Sequence, residues 1–175
     1  MRGRPDDRGE GTQVDRYAGT PGSGPDFSDP LRTIIADDDP FMRRVIKDAL
    51  HAAGIDVIAE ASTGREAVDL ALHYRPDAVL MDIVMPELDG ISATRRILAG
   101  APTQSIILFT DSEDEDMALL GLRAGAAGLL TKDLPVEALS RALRAAARGE
   151  MIVSRRLTAR FVEYLRSVPE RQPGR

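Results

Sequence analysis

No cysteine occurs anywhere in the 175 residues. That absence removes disulfides, thiolate metal centres and cysteine nucleophiles, and it suits a reducing compartment. There are only two histidines, His51 and His73. Each stands alone in a helical stretch without metal-ligand spacing, so both read as structural rather than phosphotransfer residues. No apolar run approaches the roughly 20 residues a membrane helix needs, and the N-terminus lacks a signal peptide's apolar core. A cytoplasmic protein without a membrane partner is the expectation. Neither a Walker loop nor a Gly-x-Gly-x-x-Gly run follows the first apolar segment, which disfavours nucleotide binding. A net charge of −5 argues against the chain as a whole being a nucleic-acid surface.

What is present changes texture along the chain. Residues 1–30 are crowded with Gly, Pro, Asp and Arg, which predicts a disordered leader. From Leu31 short apolar runs alternate with helical periodicity. Strands are expected at Thr33 to Ala36, Val57 to Ala61, Ala78 to Met81, Ser105 to Phe109 and Gly128 to Leu130. Helices are expected at Phe41 to Ala53, Gly64 to His73, Ile91 to Ala99, Asp114 to Ala124 and Val136 to Arg148. Pro40 and Thr63 suit helix starts, and Gly54 and Gly100 suit helix ends. The implied fold is α/β, a (βα)5 doubly wound domain with a parallel five-stranded sheet over residues 31–150. Residues 151–175 read as a linker with one further helix, Leu157 to Leu165. The arginines 141, 144, 148, 155, 156 and 160 read as a solvated helical face rather than a nucleic-acid site.

In an open parallel sheet the ligand site lies beyond the C-terminal ends of the strands. There the sequence places Asp37, Asp38 and Asp39 after the first strand, Asp82 after the third, Thr110 after the fourth and Lys132 after the fifth. Gathered carboxylates raise one another's pKa and need a cation to stay ionised. Oxygen ligands without His or Cys select a hard ion such as magnesium. With metal and ammonium neutralising phosphoryl oxygens, a carboxylate can attack phosphorus and form an aspartyl phosphate. Taken singly each residue is weak: an Asp after a strand is often a helix cap, and Thr110 or Lys132 alone is ordinary. Their joint order along successive strand ends carries the functional reading.

Four runs now show a family resemblance: Thr33-Ile-Ile-Ala-Asp-Asp-Asp-Pro, Val79-Leu-Met-Asp-Ile-Val-Met-Pro-Glu-Leu-Asp-Gly, Ile107-Leu-Phe-Thr and Ala124-Gly-Ala-Ala-Gly-Leu-Leu-Thr-Lys-Asp. Over about Arg32 to Gly149 the chain resembles the receiver domain of two-component response regulators, with the flavodoxin-like receiver fold. Its spacing and tail look like the NarL/FixJ group, whose receivers usually precede a LuxR-type DNA-binding domain, absent from these residues. The resemblance implies a non-turnover protein that phosphorylates itself on Asp82 with a sensor histidine kinase as donor. It implies Mg2+ held by Asp38, Asp82 and the backbone carbonyl of Val84, with Asp37 acting mainly through water. Lys132 would contact the phosphate and Thr110 would move to hydrogen-bond it. Pro86, Asp89 and Gly90 would shape the loop without doing chemistry. Homodimerisation on phosphorylation, with DNA reached only through the effector, completes the expectation.

Three positions depart from the family pattern. Asp111 stands where a small residue is usual and is expected to repel phosphate or compete for metal. Leu129 replaces the aromatic that usually rotates with the Thr. Asp39 adds a carboxylate where a His is frequent. These departures make a phosphorylation-independent interaction module the principal alternative. A haloacid-dehalogenase-type phosphohydrolase is disfavoured, because Val84 stands where its second acid belongs.

Overall fold

The computed structural model describes residues 30–111 and 115–153, together with residues 159, 162, 163, 166 and 167. Its strands are β1 (Leu31–Ala36), β2 (Ile55–Ala61), β3 (Ala78–Asp82), β4 (Ser105–Thr110) and β5 (Gly128–Thr131). Between and after them lie α1 (Pro40–Ala52), α2 (Gly64–Tyr74), α3 (Gly90–Gly100), α4 (Glu115–Arg123) and α5 (Val136–Ala147). All strands pair in parallel in the order β2-β1-β3-β4-β5. Elements and their sequence-derived bounds agree to within two residues. The leader through residue 29 lies outside the described residues, as do Asp114 and most of the expected helix Leu157 to Leu165.

The burial pattern follows from this order. Every residue of central β3 is buried, whereas the edge strands β2 and β5 are only partly so. Coverage on both faces is therefore a property of the middle of the sheet. One apolar layer joins Ile34, Val79, Met81, Ile106 and Leu108 to Ala67, Ala71, Ile91 and Ile97 of α2 and α3. The opposite layer joins Ile35, Leu80, Ile107 and Phe109 to Ile46 and Leu50 of α1 and Leu139, Leu143 and Ala146 of α5. Leu50, Ile97 and Leu143 have no exposed surface. Each such side chain stabilises the fold by about 2 kcal/mol relative to exposure. On α5 the buried positions Leu139, Ala142, Leu143 and Ala146 recur with the helical period, so the helix lies flat on the sheet.

Two details differ from the sequence reading. Arg144 is not simply a solvated residue: its Nη2 donates to the carbonyl of Ala53 at 2.8 Å, tying α5 to the end of α1. Neighbouring Arg148 pairs instead with Glu150 at 2.8 Å. After α5 the chain turns at Gly149 and returns beside β5. Ile152 donates to the Ala127 carbonyl at 2.8 Å and accepts from Leu129 N at 3.1 Å. Val153 packs with Ala118, Leu122 and Leu129.

Candidate functional site at the carboxyl edge of the sheet

The site lies where β1, β3, β4 and β5 end together. Asp82 is the last residue of β3 and 6% exposed, and Asp37, directly after β1, is 1% exposed. Strand pairing sets these positions: Ala36 lies opposite Met81, Asp82 opposite Phe109 and Thr110 opposite Thr131. Lys132 follows β5, and its main-chain N–H donates to the Thr110 carbonyl at 2.9 Å. Its ammonium comes within 2.7 Å of Asp37 Oδ2 and 2.8 Å of Asp82 Oδ2. The Asp82 contact is a hydrogen bond. The contact with Asp37 Oδ2 is an ion pair between two largely buried groups.

Local structure sets the loops. Asp37 Oδ1 accepts from Asp39 N at 2.9 Å, and Asp39 Oδ1 accepts from Phe41 N at 2.8 Å, capping α1 ahead of Pro40. Asp39 is thus used as a helix cap, the ordinary role of an Asp at that position. Asp89 caps α3 in the same way through Ser92 N at 2.8 Å. Burial pushes the Asp89 carboxyl up, but the hydrogen bonds from Ser92 and Ile91 outweigh it and hold its pKa below the ordinary range. Gly90 has to lack a side chain: a Cβ there would stand 2.0 Å from the Asp82 carbonyl oxygen. Val84 N donates to Asp82 Oδ1 at 3.3 Å, while the Val84 side chain is 71% exposed beside the site.

Ligand atoms of Asp37, Asp38 and Asp82 lie within 4.8 Å of one another. Three carboxylates against one ammonium leave an excess of two negative charges if all are ionised. Burial, the largest cause, raises the Asp82 pKa; Lys132 opposes the rise and Asp37 adds to it. Partial burial pushes Lys132 down, but Asp37 and Asp82 outweigh it and hold its ammonium above the usual range. The donor set is all oxygen, and Asp38 is exposed enough to meet an incoming ion. These residues fit a hard divalent cation such as magnesium.

The remaining expected residues fall in two groups. Thr110 is buried at the end of β4, on the same edge as Asp82. Asp111 is exposed, 3.8 Å from the Lys132 ammonium. Leu129 is half-buried against Ala118 and Leu122 of α4. His51 accepts from Val57 N at 3.4 Å and His73 packs edge-on with Tyr74, so neither is part of the cluster. Sequence reasoning missed Arg43, whose Nη1 donates to the Asp37 carbonyl at 2.6 Å. A cation at helical spacing reads as a solvated face, and nothing local in the sequence reveals that it bends back over its own helix start.

Comparison with known proteins identifies the family. The family model for the response regulator receiver domain covers residues 33–144. The nitrate/nitrite response regulator NarL of Escherichia coli is 34% identical over 79% of this chain and 65% of its own length. A LuxR-family two-component response regulator from Aurantimonas has a TM-score of 0.71 at 30% identity, covering 79% of this chain and all of that one. The CheX-CheY-BeF3-Mg complex from Borrelia burgdorferi gives a TM-score of 0.62 at 26% identity, over 66% of this chain and 88% of that one. The chain spans between 29% and 65% of the length of four curated relatives it matches. It belongs to the receiver domain family of two-component response regulators, with relatives of the NarL/LuxR type.

Proposed function

We propose that this receiver domain accepts a phosphoryl group on Asp82 from a sensor histidine kinase and acts as a switch. The observation that carries the reading is Lys132, whose ammonium sits 2.7 Å from Asp37 and 2.8 Å from Asp82 at the mouth of an oxygen-only cluster. Asp37, Asp38 and Asp82 would hold Mg2+, joined by the Val84 carbonyl. When bound, the ion supplies positive charge to the phosphoryl oxygens as they approach. An Asp82 carboxylate oxygen attacks phosphorus, the bond to the donor's imidazole nitrogen or acyl oxygen breaks, and the leaving group departs with the electron pair. Lys132 exchanges part of its contact with Asp82 for a phosphoryl oxygen, and Thr110 donates its hydroxyl to another. Pre-set charges rather than turnover chemistry do this work, so the protein is a signalling component and not a turnover enzyme.

The phosphoryl group adds about −1.5 to −2 charges, which Thr110 and Lys132 satisfy only by shifting the ends of β4 and β5. A partner that prefers the shifted form reads the signal. In the whole protein the output would be transcription, through a LuxR-type DNA-binding domain and homodimerisation, in the cytoplasm. No helix among the described residues is long and apolar enough to cross a membrane. Residues 31–150 would be the receiver, 1–30 a leader and 151–175 a linker.

The test is intact-mass measurement of the protein and an Asp82→Asn variant after incubation with Mg2+ and acetyl phosphate or phosphoramidate. One phosphoryl adduct on the wild type and none on the variant is expected. Exposed Asp111, 3.8 Å from Lys132, favours the second reading, a phosphorylation-independent interaction module. An unmodified wild type with both donors would select that reading.

A further inference from the structure

The Arg43 side chain leaves α1, folds back past the helix start and ends against the acidic loop. Its Nη1 donates to the Asp37 carbonyl at 2.6 Å, and the side chain is only 18% exposed. On its other side Nε lies 3.6 Å from Glu60 Oε2 without a hydrogen bond. Glu60, on β2 opposite Ile35, is itself held by Lys47 at 2.6 Å. Arg43 and Lys47 stand one helical turn apart, and both face this carboxylate.

The carbonyl Arg43 holds belongs to the peptide joining Asp37 to Asp38. The other polar atoms of Asp37 are tied independently: its N–H donates to the Ala61 carbonyl at 3.1 Å, and its Oδ1 accepts from Asp39 N at 2.9 Å. Asp38 differs, since it is exposed where Asp37 and Asp82 are buried. The direction in which Asp38 reaches the cluster is therefore set by the peptide before it, and that peptide is pinned by Arg43. We infer that Arg43 is a positioning residue for the cation site: its guanidinium, steadied by Glu60, fixes the 37–38 peptide so that Asp38 faces Asp82. This rests on the reading of Asp37, Asp38 and Asp82 as cation ligands. It assigns to Arg43 a hold on ligand geometry that touches neither metal nor phosphate.

The experiment is calorimetric titration of Mg2+ into the wild type, Arg43→Ala, Arg43→Lys and Glu60→Gln, with thermal melts of each in EDTA. Loss of a group that orients a ligand typically weakens metal affinity about 10-fold or more, so that is expected for Arg43→Ala. Its core contacts are intact, and its EDTA melt should stay close to wild type. Arg43→Lys keeps a charge and one donor, and should recover most of the affinity. Glu60→Gln keeps its volume, frees the guanidinium and should weaken Mg2+ less than Arg43→Ala; it also serves if the alanine variant does not fold. Unchanged Mg2+ affinity in Arg43→Ala, or in Glu60→Gln should the former not fold, overturns the inference alone. A wild type that binds no Mg2+ overturns it together with the reading of the site.

Discussion

Replacing Asp82 with Asn should make the metal-free protein more stable while abolishing its response to magnesium. The attraction between Lys132 Nζ and Asp82 Oδ2 at 2.8 Å is about 6 kcal/mol at an effective dielectric of about 20. Repulsion from Asp37, within 4.8 Å, is about 3.5 kcal/mol or more on the same scale, and exposed Asp38 adds a screened fraction of that. The repulsion offsets more than half of the attraction, and the desolvation of a 6% exposed carboxylate, the largest cause acting on Asp82, decides the sign. Asn removes that penalty and the repulsion, keeps the shape and still accepts from Lys132. A gain of about 1 kcal/mol is expected, or roughly 3–6 °C in Tm. Magnesium reverses the ranking: at 100 times its Kd it stabilises the wild type by about 2.7 kcal/mol, and the variant little. The assay is thermal melting of both proteins in EDTA and in saturating Mg2+ at neutral pH. Folding raises the Asp82 pKa, so the cost of ionising it is complete above that raised value and vanishes below the ordinary 3.8. The EDTA advantage of the variant should therefore shrink as pH falls toward 3.8. A variant that melts no higher than wild type in EDTA, or that keeps the full Mg2+ shift, refutes the reasoning.

Lys132→Met leaves the buried Oδ2 atoms of Asp37 and Asp82 without their cation, and should cost about 3 kcal/mol by urea melts in EDTA, partly recovered by Mg2+. Because folding raises the Lys132 pKa, the wild-type advantage over that variant is complete below 10.5 and should fade as pH climbs through the raised value, readable in alkaline melts. Gly90→Ala forces a Cβ to within 2.0 Å of the Asp82 carbonyl oxygen unless backbone moves, so a loss of about 1–3 kcal/mol is expected in urea, with slower phosphorylation by acetyl phosphate. Asp39→Ala removes the α1 cap and should cost about 1 kcal/mol while leaving the Mg2+ Kd within a fewfold of wild type; a large loss of Mg2+ affinity would make Asp39 a ligand after all.

The sequence by itself determined the alternation of strands and helices, because burial on two sheet faces demands short apolar runs and a 3.6-residue period, and these are local properties. It also determined which polar residues end each strand, hence that Asp37, Asp82, Thr110 and Lys132 share an edge once the strands are parallel. Tertiary structure alone decided how those groups are used. Asp37 and Asp39, two residues apart in one acidic run, are alike in sequence, yet one is buried against Lys132 and the other caps α1, a division set by where β1 ends and α1 begins. Arg144 reads as a solvated charge and Arg43 carries no signal in the sequence, but each reaches a main-chain carbonyl, Ala53 in one case and Asp37 in the other. The return of Ile152 to the edge of β5 has no periodic signature at all. Such contacts depend on how far a side chain or a single extended residue reaches across the fold, and period and spacing carry no information about that distance.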